Sequence, residues 1–234
     1  MISIYTIAYN EELMIAYFID WYRYRFPDCR ITVFDNESTD RTKEIAESKG
    51  CKVITYCTNG KMSETMLREI KNSCWKHCDT NWALVVDVDE LVDVNWVDLK
   101  LEQRKGTTII DFQYWTVVNK TGATRLEDMN YGVHHKRLTA KRCLFNPRAI
   151  REINYEIGAH VAHPVGHIQL SQRKYKFFHY KMLSLEWLLS RFAEYRGRLT
   201  EESIKNKWGL QYSRSRVRTW WHWKRRCWQA KQFK

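Results

Sequence analysis

The sequence predicts an α/β protein: a mostly parallel central sheet flanked by helices, with a helical extension at the C-terminus. Three observations carry this expectation. Short apolar runs alternate with helix-period stretches through the first ninety or so residues. The chain has only 3 prolines and 9 glycines and no Ser- or Gly-rich linker. Three of the expected strands end in polar residues, at Ala8-Tyr9-Asn10-Glu11, Asp35-Asn36 and Asp87-Val88-Asp89. A βαβ rhythm builds a parallel sheet covered on both faces, and such sheets bind ligands beyond the carboxyl ends of their strands.

Residues 2–8 form a β-branched-rich run and read as the first strand. After Asn10-Glu11-Glu12, Ile15, Phe18, Ile19, Tyr22 and Phe26 recur at helix spacing, with Pro27 just beyond. Residues 30–35 read as the second strand. Ser38-Thr39-Asp40 would cap a helix over 40–49, and Gly50 would stop it. A third strand is expected at 52–56 and a helix at 63–78. Trp82-Ala83-Leu84-Val85-Val86 reads as a fully buried strand that ends in acid. Strands follow at 107–118, 139–146 and 174–180. Leu185, Leu188, Phe192 and Tyr195 place an amphipathic helix at 184–199. No internal repeat or low-complexity segment interrupts the 234 residues.

Composition narrows the partners. A hydrophobic content of 44% supports a buried core and argues against global disorder. Lys and Arg number 39 against 27 Asp and Glu, and the formal charge of +12 favours nucleotide phosphates, nucleic acid or acidic lipid headgroups without choosing among them. The seven cysteines show no disulfide-like spacing. Cys74 and Cys78 lack a second Cys/His pair at zinc-site spacing, so free thiols in a reducing cytosol are expected. The N-terminal apolar run is too short for a signal peptide, and no apolar run approaches the roughly 18 residues of a membrane span. A cytoplasmic protein, soluble or peripheral on the inner face of a membrane, is the expectation.

Asp87 and Asp89 carry the sharpest chemistry. Two residues apart in extended chain, their carboxylates would point the same way and hold Mn²⁺ or Mg²⁺ through oxygen. A cation so placed neutralises a diphosphate and helps it depart. Asp35, at a strand end, is less needed for the cap that Ser38 and Asp40 supply and can accept hydrogen bonds from a nucleobase or ribose.

Thr6-Ile7-Ala8-Tyr9-Asn10-Glu11, followed by Val33-Phe34-Asp35-Asn36-Glu37-Ser38-Thr39-Asp40-Arg41-Thr42, resembles the opening of family 2-type glycosyltransferases with the GT-A fold. Val85-Val86-Asp87-Val88-Asp89-Glu90-Leu91 resembles their DxD metal motif. Residues 70–76, Phe145-Asn146-Pro147, residues 153–160 and His179-Tyr180-Lys181 are similar to a subgroup of small bacterial and viral members. The resemblance runs over roughly residues 3–212. It implies a GT-A domain over 1–212, with a nucleotide-sugar-binding half at 1–95 and an acceptor-side half at 96–212. It also implies transfer from a nucleotide-diphosphate sugar, UDP-linked in the first instance, to a glycan, lipid-linked or protein acceptor, with inversion.

By the same likeness, Ala8, Tyr9, Asn10, Glu11 and Asp35 would bind the nucleoside, and Asp87 and Asp89 the metal and diphosphate. Lys61 would contact the base or a phosphate. His179 is the first candidate to complete the metal shell and His160 the second. An inverting transferase needs a general base, which this family draws from the second half of the domain. Asp128 and then Glu156 lead a set that includes Asp111, Glu127 and Glu152. His134, His135, His163 and His167 would line the acceptor cleft. A sugar-phosphate nucleotidyltransferase would use a similar sheet but usually carries a glycine-rich loop where this chain reads Ala8-Tyr9-Asn10-Glu11-Glu12. A degenerate transferase kept as a binding module is opposed by the intact Asp35, Asp87 and Asp89.

No acidic residue follows Glu202, and the extension at 213–234 interleaves cations with Trp220, Trp221, Trp223 and Trp228. Three readings stand: a stacking surface for nucleic acid, a basic amphipathic helix on an anionic membrane near a lipid-linked acceptor, and a helix whose Trp face packs on the domain. No nucleic-acid-binding module motif accompanies it.

Overall fold

The computed structural model describes residues 1–136 and 141–233. Four strands carry the first half: β1 (Ile2–Ala8), β2 (Arg30–Asp35), β3 (Lys52–Thr55) and β4 (Trp82–Val85). They pair in parallel in the order β3-β2-β1-β4, with Ile4 beside both Ile31 and Leu84. Parallel pairing needs crossovers, and α1 (Ile15–Arg25), α2 (Thr42–Ser48) and α3 (Glu64–Ser73) supply them.

After β4 the chain continues through β5 (Glu90–Asp93), α4 (Trp96–Arg104), β6 (Ile109–Val118), β7 (Tyr131–His134) and β8 (Leu144–Phe145). β8 joins β4 antiparallel and extends the sheet through β6 and β7. A two-stranded ribbon of β9 (Ile150–Glu152) and β10 (Val165–Gly166) stands apart. The long β11 (Leu170–Met182) runs parallel to β6 and antiparallel to β5. Helices α5 (Leu185–Arg198), α6 (Glu201–Lys205) and α7 (Arg216–Gln229) follow, and β12 (Lys231–Gln232) closes the edge against β7. The result is α/β, a mixed ten-stranded sheet flanked by helices.

The core sits where the spacing put it. α1 buries Ile15, Phe18, Ile19, Trp21 and Tyr22 against the sheet. The Tyr22 hydroxyl donates to the Glu90 carbonyl (3.0 Å) and accepts from the Val92 amide (3.2 Å), so the helix also fixes the strand after the acidic motif. Trp75, past the end of α3, packs edge-on against Phe145 of β8 at 4.9 Å between ring centroids.

The differences from expectation have local causes. α1 starts at Ile15, because Asn10 adopts a left-handed conformation (φ 52°) and spends its carboxamide elsewhere. Asp40 does accept from the Thr42 amide (2.9 Å) at the start of α2, and Gly50 (φ 68°) stops that helix as expected. Ser38 does not cap: its hydroxyl accepts from the Asn10 amide at 3.0 Å. α3 ends at Ser73, short of residue 78. Of the strand expected over 139–146, residues 144–145 pair, while 139–140 lie outside the described residues. α5 is capped by Ser184, which accepts from the Trp187 amide at 3.0 Å.

The tail is half packed. Trp223 and Cys227 lean on a cluster of Val118, Val133, Met182, Leu188 and Phe192, whereas Trp221 and Trp228 are 64% and 83% exposed. Beyond α7, Phe233 packs on Phe178 at 4.7 Å, tying the extension to the sheet. All seven cysteines are free thiols. Among the described residues no helix is long and apolar enough to cross a membrane.

Trp75→Ala removes a ring that is 2% exposed and leaves a cavity between α3 and β8. Equilibrium urea denaturation should show a loss of about 3–5 kcal/mol. A loss under about 1 kcal/mol would mean that the contact does not join these elements.

Candidate active site

A cavity of about 230 Å³ opens at the carboxyl ends of β1 to β4, the place the strand-end residues marked. Its near wall is the loop after β1. Asn10 and Glu37 (φ 56°) both occupy the left-handed region, which costs about 1–2 kcal/mol for a residue other than glycine. Local hydrogen bonds offset that cost. Asn10 Oδ1 accepts from the Thr39 amide (2.9 Å), and its Nδ2 donates to Glu194 (2.8 Å). The Ser38 amide donates to Asp35 Oδ2 at 3.2 Å. Asp35 is buried beside Asn36, which lines the cavity. Its Oδ1 has no hydrogen-bond partner among the described residues. A buried carboxylate oxygen left unpaired is costly, so the geometry here suits a ligand donor.

Two arginines of α5, one heptad apart, close this wall. Arg191 donates to the carbonyls of Tyr9 (3.3 Å) and Asn10 (3.0 Å), pairs with Glu194 (3.0 Å), and contacts Glu11 and the Tyr195 hydroxyl. Arg198 lies 3.2 Å over the Tyr9 ring centroid and donates to Asn36 Oδ1 and to the Gly60 carbonyl. The loop that would receive a nucleoside is therefore held from a helix about 180 residues later in the chain.

The opposite wall is the acidic motif. Asp87, Val88 and Asp89 form a turn rather than an extended strand: the Glu90 amide donates to the Asp87 carbonyl (3.0 Å), and the Asp87 amide donates to Glu90 Oε2 (2.9 Å). The two carboxylates therefore face different partners. Asp87 pairs with Lys71 (2.5 Å) and with Lys141 (2.9 Å), and Lys141 also reaches Glu90 at 2.6 Å. Burial opposes the charge on Asp87, but Lys141 and Lys71 outweigh it and hold the carboxyl well below the usual range. Lys141 is itself buried, and Asp87 and Glu90 together keep it protonated.

Asp89 Oδ2 lies 3.0 Å from His179 Nε2, while Nδ1 of that ring meets the Tyr114 hydroxyl. The hydroxyl can donate to or accept from Nδ1, so it serves either ring tautomer. Burial raises the Asp89 carboxyl, and His179 more than reverses this, leaving it low.

The fit to a divalent cation can be judged from these donors. Asp89 and His179 present one oxygen and one nitrogen ligand side by side, whereas both oxygens of Asp87 are engaged by ammonium groups. Among the described residues no third carboxylate, thiol or imidazole completes a closed cage. A cation that travels with a nucleotide needs none, since it is bound by one or two side chains plus substrate phosphates and water. Asp89 and His179 fit that arrangement.

The structure brings Ala8, Tyr9, Glu11, Asp87, Asp89, His179 and His160 to one cavity, with Asp35 just behind it. Asn10 serves the loop rather than the lining, and the exposed Lys61 contributes its carbonyl, which accepts from Thr58 and Arg198. The two leading base candidates are not brought there. Asp128 sits exposed in a 3-10 turn at Leu126–Asp128, and Glu156 is exposed and paired with His163 at 2.7 Å. Neither is among the residues lining the cavity, although Glu156 directly precedes the turn at Ile157–Ala159 whose Gly158 lines it. Sequence reasoning missed Glu64, Lys71, Lys141, Arg191 and Arg198. The heptad spacing of Arg191 and Arg198 was the one signal that could have found a pair.

Lys141→Met should leave Asp87 and Glu90 without their shared buried cation. A loss of about 3–5 kcal/mol is expected in chemical denaturation, with recovery in the triple variant that adds Asp87→Asn and Glu90→Gln. Full stability of Lys141→Met alone would contradict the role assigned to this lysine.

Comparison with known proteins gives the family. The profile of "Glycosyl transferase family 2" matches residues 3–175. Protein RfbJ of Shigella flexneri is 31% identical over 94 residues, covering 40% of this chain and 68% of that protein. Among solved structures, S. aureus TarS 1–349 in complex with UDP aligns over 92% of this chain and 73% of its own, at 14% identity and a TM-score of 0.49. The glucosyl-3-phosphoglycerate synthase of Mycobacterium tuberculosis, in complex with Mn²⁺, UDP and glucosyl-3-phosphoglycerate, aligns over 49% of this chain at 21% identity and a TM-score of 0.35. This chain spans 44% of that synthase. With the family profile matched over most of the sequence, the protein is a glycosyltransferase and belongs to glycosyl transferase family 2.

Proposed function

We propose that the cavity is the donor site for a nucleoside diphosphate sugar, used together with Mn²⁺ or Mg²⁺, and that the sugar passes with inversion to an acceptor hydroxyl entering from the side of α7. One observation carries this reading. The Asp89–His179 pair lines the strand-end cavity, and the unpaired buried oxygen of Asp35 lies behind its wall next to Asn36, an order that suits diphosphate and then base or ribose. Uridine is the first base to test. Bound by Asp89 and His179, a divalent cation would neutralise the departing diphosphate.

The remaining chemistry falls to the chain's own groups. The acceptor oxygen attacks the anomeric carbon as the bond to the diphosphate oxygen breaks, and the diphosphate leaves with the bonding electrons. A base must take the acceptor proton. Glu64, at the start of α3, borders both this cavity and the one beside it and has no hydrogen bond or ion pair among the described residues. Burial raises its carboxyl above the ordinary range, with Lys71 pulling the other way. A base so tuned works closer to neutral pH than an exposed glutamate. Glu64 replaces Asp128 and Glu156 in this role. The exposed Trp221 and Trp228, with Arg218, Lys224 and Arg225 around them, suit peripheral contact with an anionic bilayer that carries a lipid-linked acceptor.

Calorimetric titration with UDP, GDP, CDP and dTDP should find one diphosphate that binds about tenfold or more tightly with Mn²⁺ than without. Asp89→Ala should abolish the metal effect and leave the fold intact. No binding by folded protein would reject the donor site.

Glu64→Gln should lower kcat by about 10²–10⁴ with nucleotide affinity kept. In the wild type the acidic limb of the pH–rate profile should lie above the ordinary glutamate value of about 4.3, because the raised carboxyl must lose its proton to act. Undiminished kcat in Glu64→Gln would place the base elsewhere.

A further inference from the structure

A second cavity, of about 490 Å³, adjoins the donor cavity and shares Glu64, His160, Lys181 and Gln211 with it. Its outer wall comes from the tail: Arg214 precedes α7, and His222 and Arg226 project from that helix. β11 contributes Lys181, β6 contributes Tyr114, and Trp208 adds a second ring.

The charge of this cavity is one-sided. Lys181, Arg214 and Arg226 line it, and Glu64 is the one carboxylate among its described lining residues. None of the three cations forms an ion pair or a side-chain hydrogen bond among the described residues. Lys71, Lys141 and Arg191 around the donor cavity, by contrast, are all paired. His222 is lowered to about 4 by burial first and then by Arg214, Arg226 and Lys181, and His135 to about 4 by burial first and then by Arg226. Cations gathered around a cleft focus a positive potential that attracts an anion, and planar guanidinium groups match phosphate oxygens two at a time. Trp208, only half-buried, adds an aromatic ring to the lining against which a sugar ring can lie.

We infer that this cavity is an acceptor subsite for a phosphate-bearing acceptor, with Lys181, Arg214 and Arg226 holding the phosphate beside the donor sugar. The inference rests on the donor reading given above and deepens it: the basic tail is a wall of the reaction chamber as well as an outer surface. The phosphate arrives either on a soluble molecule or on a lipid carrier, and the chemistry that recognises it is the same.

The test titrates inorganic phosphate into the full chain by calorimetry, with and without the nucleoside diphosphate that binds the donor cavity. The same titration is run on the Arg214→Gln/Arg226→Gln and Arg214→Lys/Arg226→Lys pairs. Phosphate should bind the wild type, bind the glutamine pair about tenfold or more weakly, and bind the lysine pair close to wild type, with nucleotide binding the same in all three. Sedimentation with phosphatidylglycerol-containing and pure phosphatidylcholine vesicles separates the sources. Loss of anionic-vesicle binding in the glutamine pair assigns a lipid-borne phosphate, and retained vesicle binding alongside weakened phosphate binding assigns a soluble one. No phosphate binding to the wild type, or equal binding by the glutamine pair, overturns the subsite. Absence of nucleoside diphosphate binding would instead reject the donor reading, and the titration without nucleotide still reads the subsite on its own.

Discussion

The structure depends on one buried cation. Asp87, Asp89 and Glu90 place three carboxylates within four residues at the end of a buried strand, an arrangement whose self-repulsion would raise their pKa values and open the turn. Lys141 sits between Asp87 and Glu90, and Lys71 takes the other oxygen of Asp87. Neither lysine belongs to the strand it serves: one is on α3, the other just before β8. The ion network therefore pins a crossover helix and an antiparallel strand to the same point of the parallel sheet. With Asp87 balanced in this way, Asp89 and His179 remain the pair that faces the cavity with donor capacity to spare.

A second set of charges organises the other wall. Arg191 spans from α5 to the carbonyls of Tyr9 and Asn10, so the strained loop after β1 is held by the half of the chain that also lines the second cavity. Helix α5 lines both cavities through Leu188 and Phe192. The loop after β1 and the cavity beside α7 thus meet at one helix.

Much of the fold was legible because it is local. β1 to β4 are short apolar runs whose period and flanking residues identify them, and their polar ends pointed to the site before any coordinate did. Asp35, Asp87 and Asp89 were singled out for that reason, and His179, within β11, through the family likeness. The partners of those residues were not legible, because a lysine 54 positions from its aspartate leaves no spacing signal. Glu64 reads in sequence as an ordinary first-turn acid favoured by the helix dipole, and only the two cavities meeting at it give it another role. Asp128 drew attention through the family likeness, and the structure puts it in an exposed turn away from the cavity lining. The tail's interleaved tryptophans and cations left three readings open, and the helix divides these residues: Trp223 packs inward, Arg226 turns to a cavity, and Trp221 and Trp228 face solvent.

The most direct test of the central claim is a crystal structure with a bound nucleoside diphosphate and Mn²⁺, read by anomalous scattering at the manganese edge. The account predicts one manganese peak ligated by an Asp89 oxygen and His179 Nε2, the nucleoside donating to the free oxygen of Asp35, and Lys71 and Lys141 still on Asp87. A manganese held by Asp87 in place of its lysines, or a nucleotide seated away from Asp35, would contradict it.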